Sequence, residues 1–208
     1  MTFASFASCT GIGAALLALG ALAALHILRP DIPPSRTMIS QYALGRYGWV
    51  MAVCFGAFGA ASACVFAALV ADVPTLLGRI GLALLLIAAI GLAMASRFPM
   101  DAVSTPRERM SFSGRMHGVS FLVGVPAQIL AVLLLSLALG SSRARLPLLG
   151  LAATVWLSLA AMVTIMVMVG PGKQPDPSGP ERFLGLPNRL FMVAYGAWLI
   201  VAAWPMVS

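Results

Sequence analysis

Six long apolar segments are the feature of this sequence that most restricts its fold. They cover Cys9–Leu28, Gly48–Val70, Gly78–Ser96, His117–Leu139, Leu146–Val169 and Arg189–Met206. A helix that crosses a bilayer needs about 20 mostly apolar residues, whereas a strand of a membrane barrel needs only about ten residues of alternating polarity. Because these segments are continuous and rich in Leu and Ala, the sequence predicts an all-α bundle of six transmembrane helices that forms one domain over residues 1–208.

The composition excludes an ordinary water-soluble domain. Hydrophobic residues make up 61% of the chain and charged residues 9%, whereas a soluble domain has about 25% charged residues. The net charge is +7, but the basic residues lie in short loops, so membrane topology and anionic lipid headgroups explain them better than nucleic acid does. We expect membrane lipid as a partner and no nucleic acid. No basic residue precedes the first apolar segment, which we treat as a retained helix.

The distribution of Lys and Arg predicts the orientation in the membrane. Ten of the 13 basic residues lie in or beside the first, third and fifth loops, and three lie in or beside the second and fourth. Because basic residues are enriched in cytoplasmic loops, we expect the odd-numbered loops in the cytoplasm and both termini outside, in a bacterial inner membrane. Pro and Gly mark the loops, most clearly at Arg29–Pro34, Gly140–Arg143 and Gly170–Pro187.

The titratable residues also concentrate at the odd-numbered loops. Both histidines, His26 and His117, and five of the six acidic residues lie on this side. Since polar groups at a membrane are costly unless they are paired or hydrated, such a cluster is a candidate site. We predict His26, Asp101 and His117 as acid–base groups. The plainer alternative is structural, with a His at each helix end and ion pairs of Asp31 with Arg29 and of Asp101 with neighbouring arginines.

A second set of polar residues is predicted to bind a ligand. Arginine suits phosphate and carboxylate groups because its planar guanidinium matches their geometry. Gln128 follows His117 by 11 residues, which places it about 16 Å deeper in the membrane. Tyr195 shares a helix face with Asn188. The predicted binding residues are Arg29, Asp31, Ser40, Tyr42, Arg46, Arg107, Gln128, Asn188, Arg189 and Tyr195.

Several short motifs resemble one family of membrane proteins. They are His26-Ile-Leu-Arg-Pro-Asp31, Ile39-Ser-Gln-Tyr-Ala43 followed by Gly45, Tyr47, Gly48 and Trp49, Phe98-Pro-Met-Asp101, and His117. Together they resemble the pattern of domain-of-unknown-function family 998, small prokaryotic membrane proteins with six helices, as far as Leu186-Pro-Asn-Arg189. That pattern has Thr where this chain has Met100, and Gln or Glu where it has Asn188. The resemblance implies the architecture and supplies no activity.

Three classes of function remain open, and the sequence names no cofactor. The first, which we favour, is a protein that binds or acts on a lipid- or isoprenoid-like amphiphile, with arginines on its anionic head and its tail between helices. The second is a metal or haem protein that uses His26 and His117, although no HExxH motif or Cys cluster accompanies them. The third is a non-catalytic accessory, scaffold or transport subunit, with few ionisable residues for an ion relay across the membrane.

Overall fold

The computed structural model describes residues 1–139, 144–169 and 179–207. It contains six long helices, α1 (Phe3–Leu28), α2 (Gly48–Leu69), α3 (Leu76–Arg97), α4 (Phe112–Ala138), α5 (Arg145–Val169) and α6 (Gly185–Ala203). All six are long and apolar enough to cross a membrane, and the described residues contain no strand. The predicted six-helix membrane bundle is confirmed. The predicted turn at Gly140–Arg143 and residues 170–178 of the predicted fifth loop lie outside the described residues.

Three helices begin four or more residues earlier than their apolar segments predict. The starts of α1, α4 and α6 precede the predicted boundaries by six, five and four residues. At α4 the cause is a polar cap, because the Ser111 hydroxyl accepts a hydrogen bond of 3.0 Å from the Gly114 N–H, and such a cap lets a helix begin among polar residues. His117 and Arg189 therefore lie in the second turns of their helices. At the other end, α6 stops at Ala203, three residues before the predicted end.

The six helices form a closed ring. Each helix packs against its neighbours in the chain, and α6 returns to pack against α1, while α2 also contacts α6 across the ring. The connections that follow α1, α3 and α5 lie at one end of the bundle, which we call the odd-loop face. Among the pairs joined in sequence, α4 and α5 make the sparsest contact, and α5 is the least buried of the six helices. The ring is therefore loosest between α4 and α5.

Tryptophan side chains form hydrogen bonds between helices in the half of the bundle remote from the odd-loop face. The fully buried Trp198 of α6 donates its indole N–H to the Ser136 hydroxyl of α4 over 2.8 Å. Ser136 in turn donates to the Val132 carbonyl at 2.6 Å. On α5, the Trp156 indole N–H donates to the Ile129 carbonyl of α4 at 3.1 Å. These bonds tie α4, α5 and α6 to one another at this depth.

Helices α3 and α4 approach each other through a pair of glycines. A Cβ atom on Gly91 would lie 2.8 Å from the Cα of Gly124, a distance that leaves no room for any side chain. Small residues at a crossing point let membrane helices pack backbone against backbone. The backbones of α3 and α4 therefore form one continuous wall near the odd-loop face.

The first loop, residues 29–47, folds over the odd-loop face. Its 3₁₀ turn, Ile39–Ala43, buries the side chains of Ile39 and Tyr42. The loop also packs tightly against the start of α6, where a Cβ atom on Gly185 would overlap the Pro34 carbonyl. Glycine at this position admits the loop, which forms a roof over part of the bundle.

Candidate functional site

A cavity lies between α3, α4, α5 and α6 beneath the first loop, and we call it the odd-loop cavity. The volume that the centre of a water molecule can occupy in it is about 70 Å³. Because one water needs about 10–15 Å³ by this measure, the cavity has room for several waters or for a slim apolar chain. Phe121 lines the cavity and is also 40% exposed, so the cavity reaches the lipid-facing surface beside α4. The apolar lining includes Phe55, Leu92, Phe121, Val125, Leu159 and Phe191.

The polar lining of the odd-loop cavity includes several of the predicted site residues. His117, Gln128, Asn188 and Ser40 all border it, although they come from α4, α6 and the first loop. Ser120, one helical turn below His117, lines it as well. The structure thus brings together one predicted acid–base residue and three predicted binding residues in a largely apolar setting.

His117 lies near the mouth of the odd-loop cavity with one ring nitrogen engaged. Its Nδ1 lies 3.0 Å from the Phe98 carbonyl oxygen, and a carbonyl can only accept, so Nδ1 carries the proton. In the neutral ring this leaves a lone pair on Nε2. The centroid of the ring also lies 6.1 Å from that of Phe55, within the range of about 4.5–7 Å that is typical of aromatic pairs. His117 is therefore oriented by its neighbours and keeps one nitrogen available for a ligand.

Gln128 is the deepest polar group that lines the odd-loop cavity. Its side chain is 2% exposed and lies beside the Tyr195 hydroxyl. Its Nε2 is enclosed by protein and makes no hydrogen bond of standard geometry with the described residues. The Tyr195 hydroxyl is itself 2.6 Å from the Ser62 hydroxyl. Of these two predicted binding residues, Gln128 lines the cavity and Tyr195 does not.

Asn188 connects the first loop to the wall of the odd-loop cavity. Its Oδ1 accepts a hydrogen bond of 2.7 Å from the Ile39 backbone N–H, and its Nδ2 lies 3.9 Å from the Met162 sulfur on α5. The side chains of Asn188 and Met162 are both buried. Asn188 therefore fixes the roof of the cavity to α6 and places its own amide at the boundary between roof and wall.

Arg189 forms the centre of a second cluster on the other side of α6, which we call the Arg189 cluster. Its Nε donates to His26 Nε2 over 2.8 Å, one Nη donates to the Thr37 carbonyl over 2.6 Å, and the other donates to the Tyr42 hydroxyl over 3.1 Å. The guanidinium carbon also lies 5.5 Å from the centre of the Tyr42 ring. Three predicted site residues, His26, Tyr42 and Arg189, therefore meet, but they join α1, α6 and the first loop to one another and do not line the cavity.

The hydrogen bonds of His26 fix its tautomer. Because Arg189 can only donate, His26 Nε2 must be the acceptor, and Nδ1 must then donate to the Leu22 carbonyl at 2.7 Å. Both ring nitrogens are thus occupied by protein groups. In this arrangement His26 has no nitrogen left for a proton transfer or for a metal ion.

Asp101, the third predicted acid–base residue, caps the start of α4. Its two carboxylate oxygens accept hydrogen bonds of 2.8 Å each, one from the Ser111 backbone N–H and one from the Ser111 hydroxyl. A carboxylate at a helix N-terminus is favoured by the exposed N–H groups and the helix dipole. Among the described residues Asp101 forms no ion pair, so the alternative of pairing with a neighbouring arginine does not hold. Asp101 does not line the odd-loop cavity.

The remaining predicted binding residues lie outside the odd-loop cavity. Arg29 pairs with Asp31 at 2.8 Å, as the structural alternative predicted, and also donates to the Leu44 carbonyl at 2.6 Å. Hydrogen bonds from Arg29 lower the pKa of the Asp31 carboxyl below its ordinary value. Arg46 is exposed and stacks on the Tyr47 ring at 5.3 Å. Arg107 is exposed on the short 3₁₀ turn Arg107–Arg109 of the third loop.

A metal or haem site receives little support from this arrangement. Within residues 1–139, 144–169 and 179–207, no three His, Cys, Asp or Glu side chains group together in a way that could hold a metal ion. His26 and His117, the predicted ligands, hydrogen-bond to different parts of the protein. Of the two histidines, His117 alone has a ring nitrogen without a partner among the described residues.

Sequence reasoning missed residues that shape the odd-loop cavity without carrying a charge. Gly91 and Gly124 line it and set the distance between α3 and α4, and Met162 and Phe191 contribute to its walls. The glycines carried a usable signal, because small residues in a membrane helix mark close contacts. The large apolar residues carried none, since every helix in this chain is apolar around its circumference.

Comparison with known proteins places the chain in a family. Searches of curated proteins and of solved structures find no match. The family model described as "Protein of unknown function (DUF998)" matches residues 12–205. That range contains all six helices except the first turns of α1 and also contains the motifs that resemble this family in the sequence. The chain therefore belongs to the DUF998 family of proteins of unknown function.

Proposed function

We propose that this membrane protein binds a lipid- or isoprenoid-like amphiphile, with the apolar chain in the odd-loop cavity and an anionic head at the odd-loop face. The observation that carries the proposal is the cavity itself, which is walled by apolar side chains and has polar groups at its mouth and at its deepest point. Ligand sites are usually concave and apolar with a few placed polar groups. A soluble ligand would gain little from such walls, whereas a lipid chain fits them.

Positively charged residues of the third loop and of α4 support the proposal that the head is anionic. No Lys or Arg is among the described residues that line the odd-loop cavity, so the head would lie above it. The third loop and the start of α4 carry Arg107, Arg109 and Arg115, all exposed. In the described part of the chain none of these three arginines forms an ion pair. These three arginines are therefore free to form charge-assisted hydrogen bonds with a phosphate or carboxylate.

The mouth of the cavity also offers a group that distinguishes one head from another. His117 presents a free nitrogen there, held in place by its bond to the Phe98 carbonyl. Of the three predicted acid–base residues, it is the one that borders the cavity. Any proton transfer to or from the bound amphiphile would therefore use His117.

Native mass spectrometry of the purified protein tests this proposal with a matched pair of variants. Val125 lines the odd-loop cavity, whereas Val123, two residues earlier on α4, is 51% exposed and does not. Val125→Phe fills part of the cavity and should lower the occupancy of a co-purified amphiphile at least about tenfold. Val123→Phe adds the same ring to the lipid-facing surface and should leave the occupancy unchanged. Equal occupancy in both variants, or no bound amphiphile in the wild type, would contradict the proposal.

We also propose that the odd-loop face is cytoplasmic, in a bacterial inner membrane. The support is the excess of basic residues in the odd-numbered loops. Single cysteines at the exposed positions Arg46 and Asp72, in a chain without its three native cysteines, test the orientation. A membrane-impermeant maleimide applied to intact cells should label Asp72→Cys and spare Arg46→Cys. The opposite pattern would reverse the orientation without affecting the cavity.

A further inference from the structure

The middle of the first loop is fastened to the bundle by the side chain of Arg189. One Nη donates to the Thr37 carbonyl over 2.6 Å, and the other donates to the Tyr42 hydroxyl over 3.1 Å. Between these two points lie residues 38–40, which line the odd-loop cavity. One guanidinium therefore holds both ends of the segment that covers the cavity, and we call residues 37–42 the flap.

The chain on either side of the flap has anchors of its own. Before the flap, the Ser35 carbonyl accepts a hydrogen bond of 2.8 Å from the Gly185 N–H. After the flap, the Leu44 carbonyl accepts one of 2.6 Å from Arg29. A neutral hydrogen bond also joins the flap to α6. Loss of the bonds from Arg189 would therefore loosen the flap while the rest of the first loop stays attached.

His26 holds Arg189 in this position only while the His26 ring is neutral. Arg189 Nε donates to His26 Nε2 over 2.8 Å, which requires a lone pair on that nitrogen, and His26 Nδ1 donates to the Leu22 carbonyl. A protonated imidazole has N–H groups on both nitrogens and accepts no hydrogen bond. It would also place a second positive charge against the guanidinium. The bond is therefore present when His26 is neutral and is lost as a fall in pH protonates it.

No carboxylate in the described part of the chain compensates for this second charge. Neither His26 nor Arg189 forms an ion pair there, and Arg29, the next charged residue on α1, is paired with Asp31. The ring of Tyr42 also contacts His26, with 5.5 Å between the ring centroids. The other titratable side chains on the elements packed against this end of α1 are Tyr195 of α6, Cys54 and Cys64 of α2, and the exposed Arg36 and Arg46 of the first loop.

We infer that the flap is a pH-sensitive cover of the odd-loop cavity, which opens when His26 is protonated. Histidine is the side chain that ordinarily changes its charge between about pH 5 and pH 8. On protonation Arg189 turns away from His26, its two bonds to the flap are lost, and the cavity opens at the odd-loop face. The movement itself needs no ligand. Its consequence, that an amphiphile is retained at neutral pH and released on acidification, rests on the proposed function.

Hydrogen exchange of the protein in nanodiscs at about pH 7.5 and about pH 5 tests the movement. Exchange of the flap amides, corrected for its intrinsic pH dependence, should be at least about tenfold faster at the lower pH, because a hydrogen bond from a charged donor is lost. Exchange in residues 29–32 should not change. His26→Gln supplies a neutral acceptor that does not titrate, so it should remove the acceleration. The matched control is His117→Gln, which replaces the other histidine and should keep the acceleration.

Two results of the exchange measurement would overturn the inference and leave the proposed function intact. One is equal protection of the flap at both pH values in the wild type, and the other is an acceleration that persists in His26→Gln. If His26→Gln fails to fold, nitrogen-15 NMR of the histidine-labelled wild type decides, with His117→Gln to assign the signals. His26 should gain its proton over the pH range in which the flap loosens, and a His26 that stays neutral over that range overturns the inference.

Native mass spectrometry of the same samples tests the consequence for the ligand. Wild-type protein that holds an amphiphile at about pH 7.5 should hold at least about tenfold less at about pH 5, and His26→Gln should hold equal amounts at both. Equal retention by the wild type at both pH values overturns the role of the flap as a cover. Absence of an amphiphile at about pH 7.5 counts against the proposed function, and hydrogen exchange then still decides whether the flap moves.

Discussion

Replacing Arg189 with Leu should detach the first loop from the bundle, because this side chain holds three parts of the protein together. Its two shortest hydrogen bonds, 2.6 Å to the Thr37 carbonyl and 2.8 Å to His26 Nε2, each involve a charged donor. A hydrogen bond to a charged group contributes about 1.5–3 kcal/mol. Losing both, and leaving the buried Tyr42 hydroxyl without this donor, should lower the free energy of unfolding by about 3–6 kcal/mol.

The loss is measurable by equilibrium unfolding in mixed micelles, with helix content as the signal, and by hydrogen exchange. The Ile39 N–H, which donates to Asn188, should exchange faster in Arg189→Leu because the first loop is no longer fixed beside it. Arg182→Leu is the matched control, since Arg182 is exposed and stacks on Phe183 at 4.6 Å, and it should change the free energy of unfolding by less than about 1 kcal/mol. Equal stability of the two variants would refute this account of the Arg189 cluster.

Three further predictions concern other polar residues of the odd-loop face. His117→Ala should abolish retention of the amphiphile, measured by native mass spectrometry. Circular dichroism should show an intact fold, because the side chain makes one hydrogen bond to the protein, which is worth about 1 kcal/mol. Asp101→Ala should lower the unfolding free energy by about 1–2 kcal/mol, since it removes both bonds to Ser111, and should leave amphiphile binding unchanged. Because Arg29 lowers the pKa of Asp31, their ion pair is complete at neutral pH and is lost only as the pH falls through that lowered pKa. Hydrogen exchange in residues 29–32 of the first loop, corrected for its intrinsic pH dependence, should therefore be the same at about pH 7 and about pH 5.

The helices of this protein could be predicted from the sequence because the membrane imposes a simple requirement. Every backbone polar group in the bilayer must be satisfied locally, and an apolar segment of sufficient length therefore specifies a helix. The helix ends were less accessible, because hydropathy ignores capping. Ser111 starts α4 five residues before the apolar segment does, and its bond to Asp101 turns a predicted acid–base residue into a cap.

The grouping of polar residues at one end of the bundle could also be predicted, but their division into two clusters could not. Arg189 and Asn188 are adjacent in sequence, yet the rotation of α6 directs Arg189 towards His26 and Asn188 towards the odd-loop cavity. Which face of a helix meets which neighbour depends on packing between distant segments. His26 and Arg189 are 163 residues apart, and nothing local in either segment specifies their contact.

The depth of Gln128 is the exception, because it follows from helix geometry alone. A residue 11 positions along a helix lies about 16 Å from its starting point and near the same face. His117 and Gln128 share α4, and both line the odd-loop cavity. The predicted positions of His117 and Gln128 relative to each other therefore hold because one helix carries both. The contacts between residues of different helices could not be predicted in this way.

An experimental density map of the protein in nanodiscs formed from its own membrane tests the central claim most directly. We predict elongated density in the odd-loop cavity, between α4 and α5, that extends from the level of His117 to the Gln128 amide. Its outer end should lie below the arginines of the third loop. An empty cavity, or isolated peaks of the size of a water molecule at His117 and Gln128, would contradict the claim that this cavity holds an amphiphile.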